Sequence, residues 1–157
     1  MGNTEKLLER MMPQEVIQQI KSGQSTEAQE YESVTIFFSD IANFTVLSSK
    51  TSTKDMLSTL NKLWIEYDAI ARKWGLYKVE TIGDAYVGVC NLVKKQEADH
   101  AKRIAEFAMD TLKAASDTQI LPEDGSMGTV RIRVGIHCGP IVARVVGSRN
   151  PRYCVFV

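Results

Sequence analysis

The sequence predicts an α+β domain with one antiparallel sheet and helices packed on one face, and three observations carry that expectation. Two long segments, one from Thr53 to Trp74 and one opening at Glu97 or Asp99, hold one-sided apolar stripes at helical spacing. Between them, LYKVET and DAYVGVC are short β-rich runs joined through Ile82-Gly83, the signature of a hairpin. SVTIFFS (Ser33 to Ser39) and VRIRVGIH (Val130 to His137) add strands on either side. The order strand, helix, hairpin, helix, strand, strand describes such a sheet.

Taken in order, residues 1–32 differ from the rest. Leu7, Leu8, Met11, Met12, Val16, Ile17 and Ile20 recur at helical spacing, interrupted by Pro13 and ended by Gly23; Gln, Glu and Ser then dominate to Glu32. This reads as a helical connector and a polar entry loop. SVTIFFS is apolar on both faces, as in a strand covered on each side. After a short turn, the helix from Thr53 presents Met56, Leu60, Leu63, Tyr67, Ile70 and Trp74, and Gly75 stops it. The second long helix places Ala101, Ile104, Ala105, Ala108, Leu112 and Ala115 on one face. Leu121 to Gly128 is a turn-rich connection. VRIRVGIH alternates like a half-buried strand, Gly139-Pro140 is expected to turn the chain into IVARVVG, and PRYCVF forms a last edge strand. The whole is ferredoxin-like in type.

At 157 residues the chain is one domain by length, burying about two-thirds of its unfolded surface. Lys+Arg and Asp+Glu balance at 19 each, with no basic block along a helix or loop, which argues against a nucleic-acid partner. No run of about 18 apolar residues and no basic-then-apolar leader occurs. The three cysteines Cys90, Cys138 and Cys154 show no CxxC spacing, so a reduced, cytoplasmic setting is expected.

Two acidic motifs suggest chemistry. FFSDIANFT (Phe37 to Thr45) and KVETIGDAY (Lys78 to Tyr86) each place an aspartate, Asp40 or Asp84, at a strand edge. Taken singly, each is explained by the preference of Asp for strand ends and turns. Brought together by neighbouring strands, they form the pair of carboxylates that holds divalent cations against a triphosphate. Glu80 within a strand reads as a solvent-facing position and Cys154 as a small core residue. His100 and His137 read as structural, lacking partners for nucleophilic catalysis, and Trp64 and Trp74 as core. Gly135, Gly139 and Gly147 form neither a GxGxxG nor a GxxxxGK[ST] loop, which excludes the Rossmann and P-loop readings.

VTIFFSDIANFT, LNKLWIEYDAI, YKVETIGDAYVGV, HAKRIAEFAMD, RIRVGIHCGPIVARVVG and NPRYCVF resemble, in order and spacing, the catalytic domain of class III nucleotide cyclases, and the eukaryotic guanylate cyclases most of all. The likeness runs from about Leu7 to Phe156, and LLERMMPQEVIQQIKSGQ resembles that family's helical entry segment. It implies a connector over 1–32 and a catalytic domain over 33–157. It also implies that Asp40 and Asp84, with the Ile41 carbonyl, hold two Mg²⁺ or Mn²⁺ ions. The ribose 3′-hydroxyl would then attack the α-phosphate of GTP, giving cyclic GMP and pyrophosphate. Glu80 and Cys154 match the base-reading pair: a carboxylate accepts from guanine N1 and N2, while a thiol donates weakly to O6. Amides around Asn43, Phe44 and Thr45, with Arg149, would face the phosphates. The family implies a homodimer with composite sites, the metals held by one protomer and the base read by the other, under an upstream sensor or regulatory module; a membrane-anchored parent is compatible with this.

The family usually has glycine where Asn43 and Arg144 stand. Asn43 suits left-handed backbone geometry, whereas Arg144 is expected to point outward or to perturb the dimer face. The family pattern continues after YC-x-F with a GD-x-VN-x-ASR-like segment, whose asparagine orients the ribose and whose arginine stabilises transition-state charge. The catalytic domain is thus expected to lack its C-terminal part here, as an incomplete record of an active enzyme. Two alternatives stand beside GTP cyclisation. One is a non-catalytic cyclase-like domain that dimerises or binds nucleotide, and the other is an adenylate cyclase.

Overall fold

The computed structural model describes residues 14–23, 27–146 and 152–156, so the apolar positions from Leu7 to Met12 and Arg149 lie outside the described residues. The elements in chain order are α1 (Gln14–Lys21), β1 (Gln29–Ile41), α2 (Phe44–Lys50), α3 (Thr53–Trp74), β2 (Tyr77–Ile82), β3 (Ala85–Cys90), α4 (His100–Ser116), β4 (Ile132–Val146) and β5 (Arg152–Phe156), with a 3₁₀ turn at Gly125–Met127. The strands make one five-stranded sheet, ordered β2-β3-β1-β4-β5 and antiparallel throughout. The α+β class is the one expected, and so is the element order apart from α2 and the unbroken β4.

The two long helices cover one face. Ser52 caps α3 by accepting from the Asp55 amide at 3.1 Å, and Met56, Thr59, Leu60, Leu63, Tyr67 and Ala71 are buried. Ile70 and Trp74, expected in the stripe, are only half-buried. The buried face of α4 is rotated from expectation: His100, Ile104, Phe107, Ala108, Thr111 and Ala115 face inward, while Ala101, Ala105 and Leu112 are exposed. The bulk of Phe107 explains this, because an aromatic ring buries far more apolar area than two alanines. Phe107 meets Phe37 of β1 edge-on, with centroids 4.7 Å apart, and Tyr67 and Tyr86 complete the aromatic centre.

The other face is covered over only part of its length. Val16 and Ile17 of α1 pack on Val34, Ile36, Val89, Leu92, Ile141 and Ala143. Farther along β1 the cover ends, and Phe38 is 46 % exposed. Full cover of SVTIFFS on both faces is therefore not observed.

Three local differences have physical causes. Residues 44–50 form a helix where a short turn was expected; none of its residues is buried, so no apolar period marks it. β1 starts at Gln29, inside the stretch read as entry loop, because its polar start pairs with β4 at Val142 and Ala143. Gly139-Pro140 does not turn the chain: β4 runs unbroken, and β1 shifts register between Tyr31 and Val34 directly opposite. Pro140 has no N–H to give the ladder, and the irregularity in β1 accommodates that gap.

The β2–β3 hairpin is tied at its root. Gly75 ends α3 with φ 74°, a left-handed conformation that suits glycine. The Trp74 carbonyl accepts from Arg103 Nη1 at 2.9 Å, and the Gly75 carbonyl from Gln96 Nε2 at 3.0 Å. Gln96 also exchanges two bonds with Asn91, the residue that follows β3, at 2.7 and 2.9 Å.

Candidate active site

Asp40 is the penultimate residue of β1, and Asp84 is the second residue of the Gly83-Asp84 turn that closes the hairpin at Ile82–Ala85. Gly83 has φ 55°, so the tight turn needs a residue without a Cβ penalty at that position. β3 lies beside β1 with Tyr86 opposite Ser39, which carries the turn to the end of β1. There the Asp84 carboxylate accepts from the Ile41 amide at 3.0 Å. The Asp84 carboxylate, far from β1 in the chain, thus comes to the Asp40–Ile41 peptide.

A third participant, Arg133, was missed by sequence reasoning. It lies opposite Asp40 on β4 and grips it with two bonds, Nε to Oδ1 at 2.8 Å and Nη2 to Oδ2 at 2.7 Å. These bonds, the Asp40 charge and the charge of Asp84 push the guanidinium above its ordinary value. Alternation within VRIRVGIH places Arg133 on a polar face, but the register that sets it against Asp40 is not written in that segment.

The side chains that could serve as donors here, among the described residues, are hard: the two carboxylates Asp40 and Asp84 beside main-chain oxygens. Such oxygens suit Mg²⁺ or Mn²⁺, which retain water ligands and take substrate oxygens as well. Among the described residues no group of three His, Cys, Asp or Glu side chains gathers. The residues present therefore fit a cation shared with a phosphate-bearing substrate better than a closed protein cage.

Just beyond, Asn43 adopts φ 58° and ψ 30° at the start of α2 and makes no side-chain cap. The left-handed geometry expected of it is observed. Leading amides of a helix have no intrahelical acceptor, which leaves those of Phe44 and Thr45 as donors. The Phe44 side chain packs against the core and Thr45 is exposed.

Glu80 is half-buried on β2, opposite Val87, and lines a cavity of about 410 Å³ with Phe38, Val87, Gly135, His137 and Val155. The edge strands β2 and β5 approach each other across this hollow, so the sheet curls. Cys154 sits on β5 opposite Arg144 and is half-buried; its neighbour Val155, rather than Cys154 itself, lines the cavity. Arg144 is exposed. His137, read as structural, is exposed at the cavity, whereas His100 is buried with Nδ1 2.6 Å from the Thr35 hydroxyl.

A family model described as the adenylate and guanylate cyclase catalytic domain matches residues 26–157. The chain belongs to this family. The cyclase domain is 44 % identical over 152 residues to a receptor-type guanylate cyclase of Caenorhabditis elegans, gcy-13, covering 96 % of this chain and 14 % of that protein. It is 52 % identical to the crystal structure of the RhGC guanylate cyclase domain from Catenaria anguillulae in complex with GTP (TM-score 0.74, covering 82 % of this chain and 68 % of that one). A non-canonical dimeric guanylyl cyclase domain of the RhoGC fusion protein from Blastocladiella emersonii is 53 % identical, with TM-score 0.74, covering 84 % of this chain and 71 % of that one. The chain spans about one-seventh of the receptor's length, 14 %. Among the described residues of the cyclase domain, no helix is long and apolar enough to cross a membrane.

Proposed function

We propose that this domain converts GTP to cyclic GMP and pyrophosphate. The observation that carries the reading is the meeting of Asp84 with the Asp40–Ile41 peptide, at 3.0 Å. Asp40, Asp84 and the Ile41 carbonyl would hold two divalent cations, Mg²⁺ or Mn²⁺. Bound there, such ions neutralise triphosphate charge and activate the ribose 3′-hydroxyl. The backbone at Asn43, Phe44 and Thr45 donates to phosphate oxygens, and Arg149 is placed with them in the same reading. Glu80 accepts from guanine N1 and N2 and Cys154 donates to O6; adenine reverses that pattern, which leaves buried polar groups unpaired.

The active unit is a homodimer in which one protomer supplies the carboxylate pair and the other the base-reading pair. Glu80 and Asp84 share one hairpin, so each hairpin serves two sites. The partly uncovered face around Phe38, with its 410 Å³ cavity, supports a second copy as its cover. The receptor-type relative supports an upstream regulatory module and a cytoplasmic placement of this domain, with the parent anchored in a membrane.

The test is cyclic-nucleotide production at high protein concentration with Mn²⁺, with GTP and ATP offered separately. Cyclic GMP alone is expected, and Glu80→Lys with Cys154→Asp should move preference towards ATP. No product from either nucleotide sinks catalysis by this chain and leaves a binding or dimerisation role.

A further inference from the structure

The two aspartates are not held alike. Asp84 is fixed by a backbone amide, which orients a carboxylate without neutralising it. Asp40 has both oxygens taken by Arg133, in the two-bond fork that makes guanidinium–carboxylate pairs strong and directional. The Arg133 side chain is 73 % exposed and that of Asp40 24 % exposed, so the arginine can leave for water without crossing the core. A cation seeking Asp40 must therefore displace a cation already there.

We propose that Arg133 is a placeholder: in the nucleotide-free domain it occupies Asp40 in competition with cations, and it yields most readily when an incoming polyphosphate offers the guanidinium another anion. This rests on the reading of Asp40 and Asp84 as cation ligands. Asp84 is the ligand that is ready, and Asp40 is the ligand that is gated. Cation affinity without nucleotide is then held down by competition at Asp40, and metal and nucleotide enter together. The device spares the domain a permanently ion-filled site, because two carboxylates alone would repel each other and Arg133 supplies the missing charge.

The test is Mn²⁺ titration of the nucleotide-free chain, read by the electron paramagnetic resonance of free Mn²⁺. Arg133→Ala should bind Mn²⁺ about fivefold tighter than the wild type, the scale of an exposed ion pair released. Arg133→Lys keeps the charge but loses the fork and should fall between the two. Equal Mn²⁺ binding by wild type and Arg133→Ala overturns the placeholder and leaves the metal reading intact. Arg133→Lys matching the wild type shows that charge repulsion alone governs, and overturns it too. No Mn²⁺ binding by any variant, with melting curves unchanged, removes the metal site itself and the placeholder with it. As a second readout, the ¹⁵N resonance of Arg133 Nε should hold its position with Mg²⁺ alone at concentrations below the nucleotide-free Kd. It should move when 3′-deoxyguanosine triphosphate, which lacks the attacking hydroxyl, is added; movement with Mg²⁺ alone overturns the exchange.

Discussion

Phe37 and Phe38 are neighbours in β1, yet one is fully buried and the other 46 % exposed. Phe37 faces α3 and α4, where Phe107, Tyr67 and Tyr86 close around it. Phe38 faces the hollow that Glu80 and Val155 line, and two residues later the same side of the strand carries Asp40. The helix-covered face spends its apolar side chains on holding the fold. The other face leaves apolar surface, charge and volume uncovered around Phe38.

The sharpest way to break this contrast is to truncate both rings. Phe37→Ala should cost about 3–5 kcal/mol, a large share of a typical domain's stability, in urea unfolding. Phe38→Ala should cost less than about 1 kcal/mol, because an exposed ring gives up little burial; its effect should appear instead as weaker self-association in sedimentation. Equal destabilisation by the two would erase the distinction between the faces.

Next in size is a change at the open face alone. Asp84→Asn removes a charge from the site while an amide oxygen can still accept from Ile41. Cyclic GMP formation should fall at least about a hundredfold, the scale expected of a lost metal ligand, while the melting temperature stays near that of the wild type. A parallel loss of stability would mean that Asp84 serves the hairpin rather than the chemistry.

The smallest effect concerns the covered face and alkaline pH. Burial pushes Tyr67 and Tyr86 upward from 10.0, and the nearby Asp68 charge adds to the rise at Tyr86. The Ser39 hydroxyl approaches Tyr67 closely enough to moderate its shift, but in poor hydrogen-bond geometry. Since the folded values lie above the unfolded one, the stabilisation is complete below pH 10 and is lost as pH rises beyond it. Melting temperature should be flat from about pH 7 to 9 and fall above pH 10. Tyr67→Phe should soften that fall; an unchanged slope would assign it to other groups.

The frame was legible where chemistry repeats along the chain. The stripe of α3 from Met56 to Tyr67, the glycine that ends it, the hairpin and the edge strand at Cys154 all follow from local pattern. That the Asp84 turn comes to the end of β1 is in keeping with each acidic motif closing a strand. What escaped depends on register and volume. Arg133 reaches Asp40 through strand alignment, Phe107 turns α4 by its bulk, and Pro140 stays in a strand because β1 makes room opposite it. Nothing in a single segment encodes those relations.

Glu80 and Asp84 ride on the same hairpin, and Gln96 fastens both of its feet, at Gly75 and at Asn91. Because β3 also leans on β1 from Thr35 to Ser39, the hairpin is a braced arm that carries both acidic side chains. In the proposed reading, a shift of that arm would reach the metal end and the base end together. A substitution at its feet, far from either end, would then be felt at both.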